Sequence, residues 1–188
     1  LEEAVLRVGF TEVYRLTGFA ATVQIAQQRL ALYGITGAQF RENALLTALV
    51  MEQLADAAGV ERPAAYTVGL LRSIGKIALD RWVHTQRGAF ADGHYETTGT
   101  GALADWELAN VGLNNCDAAA LIMGEWLFPE GTIAAIRDHY QPAETAPMAN
   151  LLNLAAGTAE RCGHGLPGER PYWDVSTERL AAAGVTLE

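Results

Sequence analysis

A chain of 188 residues has the length of one globular domain and can bury a real core, while two independent domains would be cramped. Half of its residues are hydrophobic and 19% are charged, which excludes a disordered chain and suits a compact helical one. The net charge of -9 would repel a phosphate backbone, so nucleic acid is not an expected partner.

Residues 2 to 8 read as a short helix, and a longer one follows over 11 to 32, broken by Gly34 and Gly37. The next helix is expected over 38 to 58, with Leu46, Val50 and Leu54 on one face, broadened by Leu45 and Leu49. Gly59 stops it, and Pro63 suits the first turn of the following helix. Residues 64 to 82 are apolar almost throughout, the pattern of a central helix. Gly88, Gly93, Gly99 and Gly101 mark a loose connection. Further helices are expected over 103 to 110 and over 115 to 127, the latter with Ala118, Ile122 and Trp126 on one face. Pro129 opens a helix carrying Ile133, Ile136 and His139, and another runs over 147 to 161. A Gly/Pro-rich loop leads to a short closing helix capped by Ser176 or Thr177. No stretch alternates long enough to require a strand, so the expected fold is all-α.

Cys116 and Cys162 lack the spacing of a zinc ribbon or a disulfide framework and are expected to be reduced, buried thiols. No apolar run reaches the roughly 20 residues of a membrane span, and no basic-then-apolar signal opens the chain, which makes the cytoplasm the expected location. The start at Leu1 suggests that a longer protein was cut there, and Leu187-Glu188 reads as a cloning scar. Gly69 and Gly75 do not make a phosphate loop, because no Gly-Lys-Ser/Thr follows and no strand precedes. A nucleophile elbow is also missing.

The segment Val68-Gly69-Leu70-Leu71-Arg72-Ser73-Ile74-Gly75-Lys76 resembles the Gly-Leu-Leu-His-Asp-Ile-Gly-Lys signature of HD-superfamily phosphohydrolases, with Arg-Ser in place of His-Asp. Phe40 to Ala44, Glu107 to Asn115, and Trp126-Leu127-Phe128-Pro129 through His139-Tyr140 are similar, in order, to segments of the HDOD branch, and Leu1 to Gly9 is similar to that branch's helix ending in Leu-Gly. The resemblance implies a multi-helix HD-domain-like bundle over residues 1–188, lacking an N-terminal helical portion that family members carry.

In active members of that superfamily, imidazoles and carboxylates from separate helices hold a divalent metal that activates water. By the resemblance, Glu42 stands where the first His would be, Arg72 and Ser73 where the His-Asp doublet would be, and Asn115 where a later His would be. His139 keeps the family type, and Tyr140 replaces its neighbour. A guanidinium offers no lone pair and stays protonated, so no metal, cofactor or catalytic residue is expected. Two readings stay open for Arg72: an internal ion pair with Glu42, or a grip on an anionic ligand. Ser73, Lys76, Asn115 and His139 complete the candidate ligand site, although Lys76 also suits a helix end and His139 a packed helix terminus. His84, His94 and His164 are expected at the surface, and the four tryptophans in the core or at its rim.

The leading expectation is a non-enzymatic bacterial signalling module that acts on a partner protein. One alternative is a sensor of a nucleotide or other phosphorylated ligand at the former metal site. Another is a residual metal-dependent phosphohydrolase.

Overall fold

Thr36 starts the first long helix by a reciprocal cap: its hydroxyl accepts from the Gln39 backbone N–H at 3.2 Å, and its own N–H donates to the Gln39 side chain at 3.0 Å. That helix, α1 (Gly37–Leu54), belongs to a computed structural model that describes residues 29–86, 95 and 102–185. The helix expected over 2 to 8 and the helix expected over 11 to 32, as far as residue 28, lie outside the described residues, as does the connection over 88 to 101 apart from Tyr95.

After α1 come α2 (Arg62–Leu71), α3 (Ile74–Thr85), α4 (Leu103–Val111), α5 (Asn115–Glu125), α6 (Glu130–Asp138), α7 (Pro147–Ala159) and α8 (Thr177–Ala182). Among the described residues there is no strand, only an isolated bridge between Leu30 and Ile35. The fold is an all-α bundle.

Several expectations are corrected in detail. Residues near Leu30 do not continue an α-helix: Leu30 is extended, and Ala31–Tyr33 form a single 3-10 turn closed by Gly34. The fully buried face of α1 comprises Phe40, Asn43, Ala44, Thr47, Ala48 and Met51, while the Leu46/Val50/Leu54 stripe is only partly buried, Val50 and Leu54 packing against the core, and Leu49 is exposed. Close approach decides this. A Cβ on Gly69 of α2 would lie 2.6 Å from the Ala48 Cα, so the small residues of α1 must face α2.

The apolar run over 64 to 82 is two helices, broken at Arg72 and Ser73, where Ser73 leaves helical geometry (φ -100°, ψ 14°). The break turns α3 onto α5, and a Cβ on Gly75 would sit 1.9 Å from the Asn115 carbonyl oxygen. Only a residue without a side chain fits there.

Helix α7 is the most completely enclosed element, with Leu151, Leu152, Leu154, Ala155 and Ala156 all buried. Each fully buried leucine contributes about 2 kcal/mol relative to exposure. A π turn over Glu160–His164 ends the helix, and the chain then doubles back through Arg170–Tyr172 to α8, which Ser176 caps as expected. Cys116 is buried as expected, but Cys162, on that π turn, is exposed; both are free. His84 and His164 are exposed as expected, and His94 is outside the described residues.

The end of α5 is unusual. Phe128 N–H donates to the Met123 carbonyl and Leu127 N–H to the Gly124 carbonyl, both at 3.0 Å, the paired bonds of a Schellman cap. The left-handed position of such a cap favours glycine, yet here it holds Leu127 (φ 59°) with its side chain 89% exposed. Leu127→Gly therefore stabilises the fold by about 1 kcal/mol, because backbone strain is relieved and little burial is lost. A thermal midpoint unchanged or lowered by the substitution would contradict this.

Candidate functional site

The break between α2 and α3 aims two cations into the interior. Arg72 ends the first helix and Lys76 lies in the first turn of the second, both essentially without solvent exposure. Lys76 therefore does not cap a helix end; burial has made it part of a network. Its Nζ lies 3.2 Å from Glu169 Oε1, 4.0 Å from Glu107 Oε1 and 4.8 Å from the centre of the Tyr33 ring.

Arg72 Nη2 donates to Asn43 Oδ1 at 2.5 Å and stands 2.9 Å from Glu169 Oε2. The Trp173 ring covers its guanidinium at 5.2 Å. The ion pair expected between Arg72 and Glu42 is not formed. Successive side chains of a helix point about 100° apart, and a buried face centred on Asn43, Ala44, Thr47 and Ala48 leaves Glu42 on the opposite side. Glu42 is more than half exposed and pairs instead with His164 Nδ1 at 3.4 Å.

Glu107 ties the other side together. Its Oε1 accepts from the Tyr33 hydroxyl at 2.8 Å, and its Oε2 accepts from the Asn115 backbone N–H and from Asn115 Nδ2 at 2.8 and 2.9 Å. The spacing from Glu107 to Asn115 thus has a physical meaning: a carboxylate on α4 satisfies the free N–H at the start of α5. Asn115 Nδ2 also donates to the Tyr140 hydroxyl at 3.2 Å, and that hydroxyl donates to Glu169 Oε1 at 3.0 Å. Tyr140 stacks on Tyr172 with centroids 4.0 Å apart.

His139 closes the ring as the last residue of the α6 turn, fully buried. Its Nδ1 lies 2.6 Å from the Ile136 carbonyl, which assigns the proton to Nδ1, while Asn153 Nδ2 donates to the His139 carbonyl at 2.8 Å. Burial, reinforced by the Arg72 charge, pushes the imidazole down to about 3, so it is neutral. Burial opposes ionisation of Glu169, but Arg72 and then Lys76 outweigh it and hold the carboxyl at about 2. Burial also opposes the charge on Arg72, and Glu169 beside it more than compensates, raising the guanidinium above its ordinary value. The Cys116 thiol, 3.9 Å from His139 Nδ1, is raised well above its usual range by burial.

Arg72, Lys76, Asn115 and His139 are thus gathered in one buried polar network, Ser73 is buried beside Arg72 with its hydroxyl making no hydrogen bond among the described residues, and Glu42 is not part of the network. Asn43, Glu107, Tyr140 and above all Glu169 belong to it as well. Asn43 and Glu107 stood within recognised segments, but nothing in the local pattern around Glu169 distinguished it from an ordinary loop residue. Among the described residues, Arg72 Nε and Nη1, Ser73 Oγ and His139 Nε2 have no hydrogen-bond partner, and no group of three or more His, Cys, Asp or Glu side chains is placed to hold a metal.

A family model of the HDOD domain matches residues 1–142. The chain belongs to the HDOD domain family. This HDOD chain is similar in fold to a solved HDOD domain protein of unknown function from Geobacter sulfurreducens, with a TM-score of 0.64 and 16% identity over 97% of this chain. It spans only 63% of that protein's length. A second similar structure, named "Putative phosphohydrolase", from Shewanella amazonensis SB2B, has a TM-score of 0.61 and 25% identity over 100% of this chain and 68% of its own. No curated protein matches the HDOD chain. Glu169, Tyr172 and Trp173 lie beyond the 142 residues that the family model matches, so the carboxylate between the two cations comes from outside that span. Among the described residues, no helix is long and apolar enough to cross a membrane.

Proposed function

We propose that this chain is a non-enzymatic regulatory module of a bacterial cytoplasm, one domain over residues 1–188, that acts by contact with a signalling protein. The observation that carries this reading is the Glu169 carboxylate lodged between buried Arg72 and Lys76. The HD superfamily implies a divalent metal here, and the residues present do not fit one. Two cations occupy the interior, neither side chain has a lone pair to offer when charged, and the nearest carboxylate is already committed to both. His139 keeps a bare Nε2, but a single imidazole beside a guanidinium is a poor ligand set. What remains of the family pattern is the scaffold: Gly69 and Gly75 at helix crossings, and Leu70, Leu71 and Ile74 in the core.

A second reading, a sensor of a phosphorylated ligand, is favoured by one observation: the unpaired N–H groups of Arg72 and the hydroxyl of Ser73. Against it, the guanidinium is sealed by Trp173 and its charge is matched by Glu169. The third, a residual phosphohydrolase, has the name of the Shewanella relative in its favour.

One preparation tests all three. Protein purified without chelators is assayed for bound metal by elemental mass spectrometry, for hydrolysis of bis(p-nitrophenyl) phosphate with added manganese, and for a thermal shift with inorganic phosphate. The expected outcome is no stoichiometric metal, no turnover and no shift. Stoichiometric metal with metal-dependent turnover overturns the proposal in favour of the enzyme, and a saturable phosphate shift lost in Arg72→Met overturns it in favour of the sensor.

A further inference from the structure

The strained turn at the end of α5 also creates the most prominent apolar feature of the described surface. Leu121 is 63% exposed, Trp126 53% and Leu127 89%, within seven consecutive positions. The chain then turns inward: Phe128, whose ring lies 6.5 Å from that of Trp126, and Pro129 line a groove of about 180 Å³ with Pro63, Ala64 and Thr67 of α2. A protruding leucine beside a preformed apolar groove is half of a knob-and-socket contact. Leucine at this left-handed position makes the backbone less stable than glycine would, so the side chain is displayed at the expense of the fold.

Charge says what covers this face. Glu61 lines the groove, Glu125 lies one turn from Leu121, and Glu130 follows Pro129. Glu130 has one distant cation, Arg137 at 4.0 Å, while Glu61 and Glu125 have none among the described residues. A second copy of a chain with net charge -9 would bring carboxylate against carboxylate, and an anionic bilayer would be repelled by the same groups.

We propose that Leu121, Trp126, Leu127 and the groove behind Phe128 form the docking face for a basic amphipathic segment of a partner protein. An apolar side chain of that segment enters the groove, its apolar face packs on Leu127 and Trp126, and its Lys or Arg residues meet Glu61, Glu125 and Glu130. This rests on the reading of the chain as a module that works through protein contact, and it adds the place and the chemistry of the contact.

The test is isothermal titration of the 188-residue chain with two synthetic 18-residue amphipathic helical peptides sharing one Leu/Trp face, one with Lys and Arg on the other face and one with Glu. The basic peptide is expected to bind saturably, and the acidic one not. Leu127→Gly and Leu121→Ser each weaken binding about tenfold, the size expected for an interface anchor, while the helical circular dichroism is retained. Glu61→Gln/Glu125→Gln/Glu130→Gln weakens binding and flattens its dependence on salt. Leu108→Ser, an exposed apolar residue of another helix, leaves binding unchanged. No binding of the basic peptide overturns the proposal. So does equal binding by the acidic peptide, by Leu127→Gly, or by the triple glutamine variant, or an equal loss in Leu108→Ser. Self-association in sedimentation that Leu127→Gly abolishes makes a second copy the occupant and also overturns it. The phosphodiesterase and metal assays read the broader functional proposal independently, so each can fail without the other.

Discussion

Replacing Glu169 by alanine lowers the stability of the folded chain by about 4 kcal/mol, the size of effect seen when one member of a buried ion pair is removed. The cause is what the substitution leaves behind. Arg72 loses its neighbour at 2.9 Å and Lys76 its neighbour at 3.2 Å, and neither charge has access to water. Among the described residues the one carboxylate left near either cation is Glu107, 4.0 Å from Lys76; the other hydrogen bonds, Arg72 to Asn43 and Lys76 to the Tyr140 hydroxyl, are to neutral groups. The Tyr140 hydroxyl also loses its acceptor at 3.0 Å. Glu169→Gln keeps the shape and the acceptor but not the charge, and falls between wild type and alanine. Against a typical total of about 5–15 kcal/mol for a domain, that is a large share of the stability. Urea midpoints measure the series; an alanine variant within about 1 kcal/mol of wild type would show that the two cations are compensated in some other way.

Stability also falls as the solution is acidified, in two windows of known sign. His139 is held at about 3 in the fold by burial and by Arg72. A free imidazole titrates near 6.5, so the unfolded chain takes up this proton first. The His139 contribution is therefore complete above about pH 6.5 and is lost as pH falls toward the folded value, at up to about 1.4 kcal/mol per pH unit. Glu169 follows. Its carboxyl, held at about 2 because Arg72 and Lys76 outweigh the effect of burial, compares with about 4.3 for a free glutamate. That contribution is complete above about pH 4.3 and is lost below it. Burial raises Asp80 and Glu160, which act in the opposite sense, so the informative quantity is a difference between variants. Between pH 7 and 5 the urea midpoint of wild type declines while that of His139→Gln is flatter. Parallel curves would mean that His139 is protonated in the fold.

The legible part of this protein is the part written in short-range pattern. Pro63, Gly112 and Ser176 mark helix ends by local backbone chemistry, and each marks one in the structure, whereas α1 ends at Leu54 and Gly59 (φ 65°) closes the turns that follow it. Arg72 was readable as a buried charge in need of a partner, because the residues around it are apolar. Its partner was not readable. Glu42 was a reasonable candidate by resemblance, yet the rotation of α1 is set by how closely Ala48 can approach Gly69, a contact between distant parts of the chain. Glu169 lies 97 positions beyond Arg72 in a Gly/Pro-rich loop, and nothing local links the two. The exposed stripe at Leu121, Trp126 and Leu127 was hidden for the same reason, since three apolar residues near a helix end read equally well as core.

The sequence by itself determined the all-α fold, the family, most helix boundaries and the presence of a guanidinium, Arg72, within an apolar stretch that had to be buried. Those features depend on helical periodicity, on residue conformational preference and on ordered motifs, all of which act over a few neighbouring residues. Only the tertiary structure decided that Arg72 and Lys76 share Glu169, that Glu42 faces solvent and that Leu127 stands exposed in a strained cap. Those outcomes depend on which helix surfaces come into closest contact, and close contact is a property of the packed chain rather than of any segment within it.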